Sequence, residues 1–412
     1  MSMDRRRFLG TAAAAAAGLG GAGAQRLFAA APERVGTVPD RSLRTKHLVV
    51  ILYGNGCRKK DTVEDPEHSP HMARMMRAGS VFTEDFGETA NLHGYMYTEM
   101  LTGRETVSEH PLFPTWTETV RKELGGSPND YWMLQGVSYY RSWVYDRKHW
   151  SAHPDGGLEF GANSLTMNKL FPDGPPPTPR PSPAELVRRN IEPGLGHTKA
   201  TLKDLEDWLA DAAARRVDTP ASTKTSLVDR EVPLGDGQCF EIAKHLLRDF
   251  RPKLITIQML ALDDAHADAG FWDYDTDYEQ YRRHIAATDE LIGNLHDFIQ
   301  NDPYLRETTS ILLRPECGRD DEVNVYGQLH HSQGNYYAHN VWTLGVGPDF
   351  RRGAAFGEQV MRRDLCPTVV YLLTGRDIAR HVTGSVRTQM FREEHRLPPY
   401  VLRDRFGNPV SA

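Results

Sequence analysis

The strongest constraint on how this chain folds is a set of short, unbroken apolar runs, each stopped by turn residues. His47-Leu48-Val49-Val50-Ile51-Leu52 runs into Tyr53-Gly54-Asn55-Gly56-Cys57. Tyr131-Trp132-Met133-Leu134 stops at Gly136, and Leu254-Ile255-Thr256-Ile257 stops near Leu262-Asp263-Asp264. Ser310 to Leu313 and Asn340 to Val346 complete the set. Runs this short, continuous rather than alternating and rich in β-branched residues, predict strands buried on both faces. Helical stripes lie between them. Met72, Met75 and Met76 follow Ser69-Pro70, and a second helix is expected over Tyr95 to Leu101. Phe240, Ile242, Ala243, Leu246, Leu247 and Phe250 mark another, and Tyr281, Ile285, Thr288, Ile292, Leu295 and Ile299 trace a long one. Leu365, Val369, Val370 and Leu373 mark the last, stopped by Gly375. Strands alternating with helices predict a three-layer, doubly wound α/β fold: a mostly parallel sheet with helices on both faces.

The ends of the chain and its middle read differently. Asp4-Arg5-Arg6-Arg7-Phe8-Leu9, an Ala/Gly-rich run and Ala22-Gly23-Ala24 resemble a twin-arginine export signal over residues 1–24. Residues 25–45 are a polar tether, and the folded domain is expected over 46–412. Export implies a periplasmic or secreted protein and contact with the twin-arginine machinery. Roughly 138–237 reads as an irregular and helical insertion, because Phe171 to Pro183 is too proline-rich for regular structure. Its run Tyr139, Tyr140, Trp143, Tyr145 and Trp150, with Arg141, Arg147 and Lys148, either packs the insertion on the core or lines a substrate wall. The formal charge of −6 gives no basic field for nucleic acid. No apolar run after the N-terminus is long enough to span a bilayer.

Chemistry concentrates at predicted strand ends. The strand at Ser310 runs into Glu316-Cys317-Gly318, and His330, His331 and His339 follow. Another strand end offers Asp263, Asp264 and His266. These side chains bind divalent metals, and Cys favours zinc over magnesium. Strands of one parallel sheet bring their carboxyl ends together, so residues distant in sequence can share a site. Tyr53, Asn55 and Asn91 are candidates to line its mouth. The simpler readings are a structural Cys317, a solvated His330-His331 pair and a turn-capping Asp263-Asp264. Cys57, Cys239, Cys317 and Cys366 allow three disulfide pairings, and Cys57 with Cys317 would join neighbouring strand ends.

Taken in order, six segments resemble the alkaline phosphatase superfamily, which includes sulfatases and phosphodiesterases. They are HLVVILYG, SPHMARMMRAGSVF, MLTGRE, LDDAH with the helix holding Asp289, LLRPECG and DLCPTVVYLLTG. The resemblance covers most of Lys46 to Gly375. It implies an alkaline phosphatase-like fold, bound divalent metal, and hydrolysis of a phosphate or sulfate ester of a small molecule or glycan. The departures fall on the site. Where relatives carry a first-strand Asp stands Tyr53, and where they carry Asp-His stand Glu316-Cys317. Counting back nine residues from Thr102 places His93 where relatives carry the nucleophile. Asp263 and His266 are one residue closer together than the family spacing. Two readings follow: a rebuilt site, with His93 as nucleophile, general base or ligand, or a binding protein that has lost catalysis.

Overall fold

The computed structural model describes residues 43–53, 56–105, 111–135, 162–166, 234–259, 262, 278–323, 329–331, 334–377 and 381–396. In chain order the main elements are β1 (His47–Tyr53), α1 (Pro70–Ala78), β2 (Ser80–Phe86), α2 (His93–Thr102), α3 (Trp116–Leu124), β3 (Tyr131–Gln135) and β4 (Asn163–Thr166). There follow α4 (Leu234–His245), β5 (Leu254–Gln258), α5 (Tyr278–Asn301), α6 (Pro303–Thr308), β6 (Thr309–Pro315) and α7 (Tyr336–His339). β7 (Asn340–Val346), β8 (Ala354–Phe356), β9 (Val360–Met361) and α8 (Leu365–Thr374) close the described fold.

The strands form one sheet in the order β4-β3-β5-β1-β6-β7-β2-β8, with β9 also paired to β2. β1 lies at its centre, parallel to β5 and β6. Alternate side chains divide the core. Val49, Ile51, Ile311 and Leu313 pack with α1, α4 and α5 on one face. Leu48, Val50, Leu52 and Leu312 pack with α2, α3 and α8 on the other. This is the expected three-layer arrangement, and it explains the unbroken apolar runs: a strand covered on both faces has no polar side.

Three details depart from the sequence reading. β7 is antiparallel to both its neighbours, β6 and β2. The insertion contributes a strand, β4, parallel to β3. Leu234 to Gly237, expected as loop, begin α4. The export signal, nearly all of the tether, the aromatic run and the rest of the insertion lie outside the described residues.

Local chemistry sets the helix ends. Ser69 makes no side-chain cap to α1. Asp289 of α5 does this instead, accepting from the backbone N–H groups of His71 and Met72, each at 2.8 Å. A carboxylate there satisfies two of the orphan donors of the first turn. α2 and α8 both end on a glycine in the left-handed region, Gly103 and Gly375, each at φ 69°.

Candidate functional site

Because every strand but β7 points the same way, the carboxyl ends of β1, β5, β6 and β2 share one edge of the sheet. The antiparallel β7 adds its first residue, Asn340, and the preceding α7 to that edge. The backbone of Cys57 donates to the carbonyl of Cys317 at 2.8 Å, joining the loop after β1 to the loop after β6. All four cysteines are buried and none is in a disulfide, so the Cys57–Cys317 bridge does not form.

At this edge His93 meets Glu316. Nδ1 of His93 lies 2.7 Å from Oε1 of Glu316, whose side chain is fully buried while that of His93 is 24% exposed. A carboxylate only accepts, so Nδ1 carries a proton and the ring is oriented with Nε2 away from Glu316. His93 is the first residue of α2, two residues earlier than the sequence suggested, and α2 has no side-chain N-cap. The partial positive charge of that helix end is therefore at the site.

His331 joins this pair. Its ring packs edge-on to His93 and to His330, with centroids 5.7 and 5.6 Å apart. Burial, then the nearby His93, Arg319 and His330, hold its pKa well below the usual histidine range. It is a neutral imidazole at physiological pH.

The loop that delivers His93 is tied down from two sides. Gly87 exchanges hydrogen bonds with His339: its N–H donates to the His339 carbonyl at 3.0 Å, and its carbonyl lies 2.9 Å from His339 Nδ1. Thr89 donates to the buried Glu99 of α2 at 2.7 Å, and Arg362 bonds both, at 3.0 and 3.1 Å. A Cβ on Gly87 would fall 1.7 Å from the Arg362 guanidinium, so a larger residue there would have to displace that group from Thr89 and Glu99.

The candidate residues thus separate. His93, Glu316 and His331 come together, and Asn91 is buried just before α2. His330 stacks at the edge of this group. His339 ends α7 instead of opening β7. Its ring stacks on Phe86, centroids 5.7 Å apart, as well as bonding Gly87. Cys317 is buried, with its backbone carbonyl used by Cys57. Asn55, Asp263, Asp264 and His266 lie outside the described residues. Among the described residues no three His, Cys, Asp or Glu side chains are arranged to hold a metal ion. The five described members of the expected ligand set, Glu316, Cys317, His330, His331 and His339, do not by themselves make a metal site.

Tyr53 does not line the mouth. Strand alternation turns it to the α5 face, where it is fully buried, 3.0 Å from Thr288 Oγ1 and packed against Trp342. Burial, then the adjacent Cys57 and Asp289, push its phenol well above its ordinary pKa. Tyr53→Phe should therefore cost only about 0.5–1.5 kcal/mol of stability in urea unfolding. It should leave any ligand binding or turnover unchanged; an altered activity would return Tyr53 to the site.

Two buried arginines escaped the sequence reading. Arg314, inside β6, pairs with Asp85 of β2 and donates to the carbonyls of Pro315 and Glu316. Arg319 reaches three loop carbonyls. The signal for Arg314 was available: a charge inside an apolar run has to find a partner.

No protein-family model and no curated protein sequence matches this chain. Solved structures do. The phosphonate monoester hydrolase SpPMH from Silicibacter pomeroyi superposes with a TM-score of 0.50 at 13% identity, over 86% of this chain and 77% of that one. PsFucS1 sulfatase from Pseudoalteromonas sp. also gives 0.50, at 10% identity, over 89% of this chain and 76% of that one. At such low identity the likeness is one of fold. The chain has the three-layer α/β fold that these two proteins share, the alkaline phosphatase-like fold that its six sequence segments imply.

Proposed function

We propose that this protein hydrolyses phosphate or sulfate esters and that His93 is its reacting side chain. The observation that carries this reading is the His93–Glu316 pair, held at 2.7 Å on the uncapped N-terminus of α2. A buried carboxylate that fixes one ring nitrogen leaves the other as a directed base, the logic of a catalytic dyad. In the proposed step Nε2 takes a proton from water as the water oxygen bonds to phosphorus or sulfur. The bond to the ester oxygen breaks, and that oxygen receives the proton back from Nε2. The helix N-terminus favours the negative charge that gathers on the oxyanion. The substrate is an ester of a small molecule or a glycan. The sequence signal supports export to the periplasm or the cell exterior. A divalent metal, with zinc favoured, would need Asp263, Asp264 and His266 beside Glu316 and His331; no step here relies on one.

The purified protein should turn over an aryl phosphate, a phosphonate or phosphate diester, or an aryl sulfate, and His93→Ala should lower that turnover about 10²- to 10⁴-fold. Metal analysis with and without chelator, run on the same samples, tests the metal expectation separately. No turnover on any of these esters would overturn the reading. The alternative, a non-catalytic binding protein, is favoured by one observation: Tyr53, which stands where the resemblance expects an acidic ligand, is a core residue. It predicts that His93→Ala and Glu316→Gln leave the protein's biological role intact.

A further inference from the structure

The geometry points to Arg319 as the positioning residue of this site, a single guanidinium that sets three strand-end loops at once. Nε donates to the carbonyl of Gly56 at 2.7 Å, Nη1 to that of Leu329 at 3.0 Å, and Nη2 to that of Leu262. These carbonyls belong to the loops after β1 and β5 and to the stretch leading to His330 and His331. Arg319 itself sits three residues beyond Glu316. The side chain is fully buried, its guanidinium 4.9 Å over the ring of Tyr281 on α5. Tyr281 in turn accepts from the backbone N–H of Arg58 at 2.9 Å, which ties the same β1 loop to the same helix.

Only arginine does this. Its planar fork sends N–H groups in three directions and offers a flat face to an aromatic ring, whereas lysine is a point charge on a flexible stem. The backbone has made room for the fork. Gly56 has φ +85°, and a Cβ there would sit 3.1 Å from Arg319 Nε. A charge-assisted bond to a carbonyl is stronger than a neutral one, and three that share one donor group order their loops together. Arg319 thereby fixes the carbonyl next to His330-His331 relative to Glu316, and so the placing of His331 against His93. This inference rests on the proposed hydrolase for its functional meaning but not for its structural content.

Arg319→Lys and Arg319→Ala test it by hydrogen exchange and by kinetics. In both variants, residues 56–58, 259 and 262, and 329–331 should exchange about tenfold faster or more, together, as expected for losing one charge-assisted bond each. β1, β5 and β6 should stay protected. In the active enzyme kcat should fall about 100-fold, the scale of a small misplacement at a reacting centre, with KM little changed. Guanidinium ion should restore part of the rate of Arg319→Ala and none of that of Arg319→Lys. The proposal is overturned if only one of the three segments loosens, if the whole protein loosens evenly, or if the loops loosen together with kcat intact. If the wild-type protein turns over no ester, the hydrolase reading fails while the exchange arm still decides the role of Arg319.

Discussion

Asp85→Ala should destabilise the protein by about 3–5 kcal/mol, the range for removing one member of a buried ion cluster. Asp85 is fully buried and is the common acceptor of two fully buried guanidinium groups. Arg314 contacts it at 2.9 and 3.0 Å and Arg387 at 2.7 Å, and Thr343 also donates to it. Without the carboxylate two guanidinium groups face each other in the core with one anion fewer. The placement depends on a register shift in β2 between Phe82 and Asp85. Strict alternation from Val81 would send Asp85 to the α5 face; the bulge turns it to the α2 face, under Arg314. Urea unfolding at neutral pH measures the loss, and Asp85→Asn, which keeps acceptor geometry without the charge, should lose less. Both effects vanish if the cluster is dispensable.

The same cluster gives a sign for acid sensitivity. Burial alone would raise the pKa of Asp85, but Arg314 and Arg387 outweigh it, and the net direction is down. A carboxyl with a depressed folded-state pKa adds stability that is fully present above its unfolded value, near 4. That stability is lost as pH falls through the depressed value. Wild-type protein should therefore lose stability in acid more steeply than Asp85→Asn, below about pH 4.

How much of this was legible in the sequence depends on what each feature needs. β1, β6 and β7 were readable because burial on both faces forces an apolar composition, and α8 because Gly375 supplies the αL stop. The antiparallel β7 was not: strand direction depends on pairing partners, and Asn340 to Val346 would look the same either way. His93 was found through motif spacing, but its place as the first residue of α2 was missed. Leu92, at the N-cap, carries none of the usual capping side chains. Tyr53 was misplaced for a parity reason. The apolar run gives a strand but not which end residue turns towards the edge. Arg314 stands out as a charge inside an apolar run, but its partner Asp85 lies far away in the chain; Arg319 gives no such signal, because it follows the strand and its partners are loop carbonyls.

Glu316→Gln is the sharpest test of the proposed chemistry. Glutamine keeps the size of the side chain and can still accept from His93 Nδ1, so the fold should hold. Its neutral amide is cheaper to bury than a carboxylate, so stability should not fall. What it lacks is the charge that stabilises the imidazolium formed when Nε2 takes a proton. By the scale of general base catalysis, kcat should fall about 10²- to 10⁴-fold. His93→Ala should lose a similar factor. It should also cost about 1.5–3 kcal/mol of stability, because it removes one charge-assisted partner from a buried carboxylate. Residues that act as a unit are not additive, so the double variant should be no slower than the worse single one. Two independent losses that multiply would mean His93 and Glu316 act separately. Variants that both retain turnover within about threefold would remove the pair from the mechanism and leave the N-terminus of α2 to explain any activity by itself.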